Sequence, residues 1–258
     1  MKPIIRFLLL PLFLFFPVTI VHAQASTELH HEIEGRGIAS IPSGEASFTS
    51  SGTPGSVISF SRDFDFKNQL GFQLLYTYRS STLKHKLVGD FNQTSWSRDT
   101  TLSRSFTFRG QTYVANLSAS GDLRLRVFRG IYSYRWGNEK FRMGPMVDMG
   151  VISTRLTLTG ATNNGVRTET GTISKFAATV GYDLDYNPTP RVNIFNNLGA
   201  IRFSGEHLFH VDGGVKFFLT HYLGVSGGYR AQRYRLEDND NFVTIRTHGP
   251  FFGGLFRF

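Results

Sequence analysis

Cysteine is absent from all 258 residues. No disulfide can hold this fold together, which argues against the small secreted scaffolds that depend on them. Beyond the first 23 residues the chain also lacks any run of about 18 apolar residues, so no helical membrane span is available. A convincing helical period is missing too: apolar residues do not recur at the spacing of an amphipathic helix. Acidic residues are few relative to basic ones, 19 against 28, and the formal charge is +9. That balance raises the question of nucleic acid. The cations, however, are dispersed, without a continuous basic patch or a recognisable RNA- or DNA-binding motif, and no nucleic-acid partner is expected.

Phenylalanine (25) and glycine (27) are abundant, a combination suited to tight turns and a large apolar surface. The first residues, MKPIIRFLLLPLFLFFPVTIVHAQA, have three parts. Lys2 and Arg6 form a cationic start, Phe7 to Ile20 an apolar stretch, and Val21-His22-Ala23 a small-residue cleavage site. Residues 1–23 therefore read as a signal peptide and 24–258 as a single exported domain. The apolar stretch is interrupted by Pro11 and Pro17 and falls short of the ~20 residues of a helical anchor. Membrane insertion, if it occurs, must then be by a β-barrel.

Alternation with a period of two runs through the rest. In LGFQLLYTYR (70–79), Leu70, Phe72, Leu74, Tyr76 and Tyr78 share one face and Gly71, Gln73, Leu75, Thr77 and Arg79 the other. KFAATVGYDLDY (175–186) and FHVDGGVKFFL (209–219) repeat the pattern. Such segments match a tilted bilayer crossing of ~9–11 residues better than the usual globular strand of about five or six. Connections alternate in length: SST (80–82), GNEK (137–140), NPTP (187–190) and THY (220–222) are short, while 42–69, 96–120 and 156–172 are long and polar. Aromatics gather beside the short turns, at Tyr76, Tyr78, Tyr132, Tyr134, Trp136, Tyr182 and Tyr186, as an interfacial girdle would.

The fold expected is all-β, a transmembrane up-and-down antiparallel β-barrel of about ten strands, with eight as the alternative. The strands are placed at 32–41, 70–79, 83–95, 122–136, 141–155, 173–186, 191–203, 207–219, 223–236 and 243–258. An even count leaves both chain termini on the periplasmic side. GSVISFSRDF (55–64) alternates well enough to extend a strand above the membrane.

Several stretches carry a resemblance. QLGFQLLYTYRSSTLKHKLVGDF (69–91) resembles the second hairpin of OmpA/OmpW-like outer-membrane barrels, LRVFRGIYSYRW (125–136) resembles a later strand of the same proteins, and GPFFGGLFRF (249–258) resembles their closing strand. In that last stretch Phe252, Phe256 and Phe258 share a face, and Phe258 ends the sequence as the family's assembly signal does. The resemblance implies residence in the bacterial outer membrane and a porin-like architecture. It further implies contact with outer-membrane lipids and lipopolysaccharide, and handling by periplasmic chaperones and the barrel-assembly machinery. Its motifs are strand patterns, so it implies little about activity.

Inward faces read from alternation carry Arg36, Arg79, Lys84, Lys86, Arg129, Arg142, Lys175, Lys216 and Arg230, with Glu34, Asp90, Asp148, Asp183, Asp185 and Asp212. Arg135 is placed inward, and Phe128, Tyr132, Tyr134 and Trp136 toward lipid. In so narrow a barrel side chains fill most of the interior, and buried charges must pair. The first functional reading is a plugged, ion-paired interior with a structural or surface-interaction role. The second is a narrow channel for small solutes, anionic ones if the cation excess dominates. The third is an enzyme at the outer rim acting on lipid or peptide. For that, GEHLFHVDGG (205–214) supplies His210 and Asp212 on one strand face, without a neighbouring serine. No cofactor is implied. No metal site is expected either, since His30-His31 lack further ligands nearby. The acidic tip 237–241 could recruit a divalent cation between lipid phosphates, though solvation explains it equally.

Overall fold

A computed structural model describes residues 29–50, 52–203 and 206–258. The signal-peptide reading of 1–23 lies outside the described residues. Among the described residues fourteen strands are present: β1 (His31–Ser47), β2 (Ile58–Ser59), β3 (Gln69–Arg79), β4 (His85–Thr101), β5 (Phe106–Phe108), β6 (Gln111–Tyr113), β7 (Ser118–Tyr134), β8 (Trp136–Gly137), β9 (Phe141–Thr162), β10 (Gly165–Thr189), β11 (Val192–Phe203), β12 (Glu206–Phe218), β13 (Leu223–Asp238) and β14 (Asn241–Arg257).

Ten of them close a ring. Hydrogen-bonded neighbours run β10-β11-β12-β13-β14-β1-β3-β4-β7-β9, and β9 returns to β10, every pair antiparallel. A closed ring leaves no sheet edge unpaired, the condition for a β structure to exist in lipid. The seam joins β1 to β14, where His31 and Phe258 exchange both backbone hydrogen bonds at 3.0 and 2.9 Å.

The outward face defines a membrane band. On β9 it is Phe141, Met143, Val147, Met149 and Val151, after which it turns polar with Ser153, Arg155, Thr157 and Thr159. The apolar part spans about eleven residues, one bilayer crossing; the rest of this 22-residue strand stands above it. Leu70 (75% exposed) and Phe252 (73%) face outward in the same band. At the short-turn end, Tyr76, Tyr78, Tyr132, Tyr134, Trp136, Tyr182 and Tyr186 all face outward. Two diagonal cross-strand pairs tie this girdle: His31 Nδ1 with Tyr76 Oη (2.7 Å) and His85 Nδ1 with Tyr132 Oη (2.8 Å). His31 thus belongs to the barrel wall, as the first residue of β1.

The segment 156–172 is a correction to the sequence reading. It is no loop: β9 and β10 continue through it and turn at Asn163-Asn164. Leu156, Leu158 and Ile173 point inward while Thr157–Thr170 and Thr159–Thr168 pair outward at 3.0 and 2.9 Å. An outward face of threonines looks polar in sequence, but above the bilayer it is simply a water-facing sheet.

The other two long connections fold into the barrel's upper end. Of GSVISFSRDF only Ile58–Ser59 forms a strand, paired with β1. Phe48, Phe60, Phe64 and Phe66 from the first connection meet Leu102, Phe106, Phe108 and Tyr113 from the second. Below them lie inward residues of the wall, among them Trp96, Leu123, Leu156, Tyr234 and Ile245. Glycines make room: a Cβ at Gly121 would meet the Phe64 ring, and one at Gly171 the Phe48 ring, each at 2.5 Å. The result is an apolar upper core, which side-chain alternation in the strands alone did not disclose.

An ion pair between a buried carboxylate and a partly exposed guanidinium latches this cap. Asp63 accepts from Arg104 Nη2 (2.7 Å) and Nε (3.0 Å), from Ser59 N–H (2.8 Å) and from Arg62 Nε (3.3 Å), and Arg104 also donates to the Val57 carbonyl (2.6 Å). Burial alone would raise the Asp63 carboxyl, but the guanidinium and amide donors outweigh it and hold the group below its ordinary 3.8. A depressed carboxyl contributes stability that is complete above the unfolded value and is lost as pH falls through the folded one. Acidification below about pH 4 should therefore loosen the cap, read as a shift in the fluorescence of Trp96 beneath it. Asp63→Asn should show the loosened signal already at neutral pH.

Candidate functional site

The lower half of the interior is where the sequence placed its candidate residues. Strands β1, β3, β4, β7, β9, β10, β12, β13 and β14 each turn at least one charged or amide side chain inward there. At the mouth on the short-turn side, Glu32 accepts from Lys216 (2.5 Å), Arg257 (2.8 Å) and Arg79 (3.4 Å). Lys216 continues to Glu34 (2.7 Å), Glu34 to Arg36 (2.5 Å), and Arg36 to Asp212 (2.7 Å). Gln73 links Arg36 (3.5 Å) to Asp90 (2.7 Å). Asp90 then binds Arg129 (2.5 Å) and Arg230 (3.4 Å), and Arg129 reaches Asp148 (3.4 Å).

A second cluster joins Lys86 to Asp183 (2.8 Å) and Asp185 (3.6 Å), with Arg135 bonded to Asp185 and 3.7 Å from Asp183. Eight cations and seven carboxylates are joined in these pairs, so the interior is close to neutral rather than strongly cationic. Arg36 also lies over the rings of Phe251 (4.3 Å) and Phe195 (5.2 Å), a cation–π shelf at its outer side.

Of the sequence candidates, Arg36, Asp90, Arg129, Asp148, Asp183, Asp212, Lys216 and Arg230 lie buried in this network, and Arg79 joins it from the mouth. Lys86, Arg135 and Asp185 do so too. Arg142 points inward at the mouth and is partnered. Lys175 sits at the upper rim, partly exposed, 3.1 Å from Asp238. Lys84 is a correction: it is exposed in the turn before β4, because the strand begins one residue later, at His85. Glu32 was missed although it collects three cations; its signal was the alternation HEIEGR (31–36), in which Glu32, Glu34 and Arg36 share a face.

His210 and Asp212 do share the inward face of β12, but they are not partners. Asp212 belongs to Arg36. His210, only 2% exposed, has Nε2 3.3 Å from Asp148 Oδ2 without hydrogen-bond alignment, and neither ring nitrogen bonds a hydroxyl among the described residues. The pair lies at mid-barrel beneath the aromatic cap instead of at the outer rim. The void at the centre of the network measures ≈ 40 Å³, room for a few waters.

Neither a family model nor a curated protein matches this chain. Solved structures do match. The outer membrane protease OmpT from Escherichia coli superposes with a TM-score of 0.60 at 9% identity, over 92% of this chain and 99% of that one. The translocator domain of the autotransporter NalP from Neisseria meningitidis gives 0.45 at 8% identity over 89% of each chain. Ail, the attachment invasion locus protein of Yersinia pestis, gives 0.38 at 15% identity over 89% of this chain and 99% of that one. The latter two likenesses are loose, and all three are of fold alone. Taken with the closed ring and its apolar girth, the OmpT superposition places the chain's architecture among the bacterial outer-membrane β-barrels.

Proposed function

We propose that the protein is an integral outer-membrane barrel whose interior is closed by its own side chains, and whose role is structural or surface-presenting. The observation that carries this reading is the stacking of two cores along one axis. An ion-paired lower layer with a void of only ≈ 40 Å³ lies under an apolar upper layer sealed by two folded-in connections. A solute path needs a continuous polar lumen, and the near balance of charge removes the reason for anion preference. Purified protein in planar bilayers should give no stable conductance steps; reproducible steps would overturn this reading in favour of the narrow channel.

Proteolysis is named for the OmpT structure, but a likeness of fold at 9% identity carries no chemistry. His210 lies under the cap with no aligned nucleophile among the described residues, which counts against a rim enzyme here. Phe252, Phe256 and Phe258 line the outward face of the closing strand, consistent with their proposed part in recognition by the assembly machinery.

A further inference from the structure

Outside the barrel, β11 to β14 carry a groove of ≈ 680 Å³ at the upper edge of the apolar band. Its outward lining includes Arg202, Phe209, Ala231, Arg233, Arg246 and His248. Arg233 stands directly opposite Arg246 in the β13–β14 ladder. Like charges facing each other across a pair are unfavourable unless something lies between them. Inside the barrel the arginines of the network are matched to carboxylates; here, among the described residues, Arg202, Arg233 and Arg246 have no ion pair. Two positions further up, Arg235 does have one, to Glu237 at 2.7 Å, so the same strand supplies a carboxylate just above the groove and none within it. The floor is fixed by a hydrogen bond between Tyr229 Oη and His248 Nδ1 (2.7 Å).

Height decides what this groove meets. Arg233 is ten positions along β13 from Leu223, the first outward residue of that strand. At ~3.3 Å per residue and a tilt of ~40° that is roughly 25 Å, the height of a barrel's apolar band. The arginines therefore stand where lipid headgroups lie, on the long-connection side, with Phe209 level with Arg233 on the next strand and Ala231 and Tyr229 below at acyl-chain depth.

Resting on the membrane-barrel reading above, we propose that this groove binds the phosphate groups of a phosphorylated membrane lipid. Arg233 and Arg246 hold the phosphate oxygens from two sides, Arg202 adds a third cation, and the acyl chains lie along the apolar wall. Guanidinium forks suit this task because they bond phosphate oxygens in pairs. A second like-charge pair, Arg124 opposite Arg155 on β7 and β9, supplies a control. There Arg124 donates to Ser95 (3.2 Å) and its neighbour Arg126 to Gln93 (2.7 Å), whereas no such acceptor faces Arg233 or Arg246 among the described residues.

The test reconstitutes the full barrel in phosphatidylethanolamine vesicles with or without a minority of bis-phosphorylated lipid A, and follows the thermal midpoint of its gel-mobility shift. The wild type should gain stability with lipid A, and the Arg233→Gln/Arg246→Gln variant should need on the order of tenfold more lipid for the same gain. Arg124→Gln/Arg155→Gln should behave as wild type. If the double variant does not insert, Arg246→Gln alone should show a several-fold loss. An undiminished response in either groove variant, an equal response to dephosphorylated lipid A, or equal protection by inorganic phosphate alone would overturn the proposal. A wild type without any gel-mobility shift in plain phosphatidylethanolamine would instead reject the barrel reading beneath it.

Discussion

Asp90→Ala is expected to destabilise the folded barrel by about 3–5 kcal/mol, the cost of stranding buried charge. Asp90 is 1% exposed and is the junction of the network: Arg129, Arg230 and Gln73 all donate to it. Without it, Arg230 loses its carboxylate, and Arg129 keeps only the longer contact to Asp148. Neither guanidinium can reach bulk water from mid-barrel. Asp90→Asn retains an oxygen acceptor of the same shape and should cost less, separating lost charge from lost packing. Urea unfolding in detergent micelles reads both. A loss below about 1 kcal/mol for Asp90→Ala would mean that water enters the lower core freely, as it does at surface ion pairs.

Trp96→Ala tests the upper core and should cost a similar 3–5 kcal/mol, as large-to-small changes of buried aromatics do. Trp96 is fully buried, and its Nε1–H donates to the Ser40 carbonyl at 2.9 Å, linking β4 to β1 beneath the cap. Trp96→Phe keeps a ring in place but forfeits that bond, for about 1 kcal/mol. The same unfolding measurement compares the two. An alanine variant as stable as wild type would show that the aromatic cap rests on the barrel without stabilising it.

Much of this architecture was legible because a membrane barrel is written in period two. Leu70 to Tyr78 face lipid and Gln73 and Thr77 face inward as alternation requires, and the ten strand positions hold to within a few residues at the short-turn end. At the other end they run longer, because above the bilayer the outward face becomes Thr and Arg and the alternation changes meaning without changing period. Lys84 was misplaced for the opposite reason: parity holds only inside a strand, and the 80–84 turn breaks it. The cap was not legible at all. Phe64 and Phe106 lie in connections whose aromatics are interspersed with many polar residues and show no sustained alternation, and only tertiary folding brings their rings 6.3 Å apart. Likewise the His210–Asp212 spacing gave a shared face but could not say that Arg36, arriving from β1, takes the carboxylate.

The central claim is that the closed ring of ten strands spans the outer membrane. The most direct test is gel mobility of the chain in outer-membrane fractions, boiled against unboiled. The account predicts a membrane-bound protein whose unboiled form migrates apart from the boiled one, since a closed barrel resists detergent unfolding until heated. A protein found soluble in the periplasmic fraction, with a single mobility whether boiled or not, would contradict it.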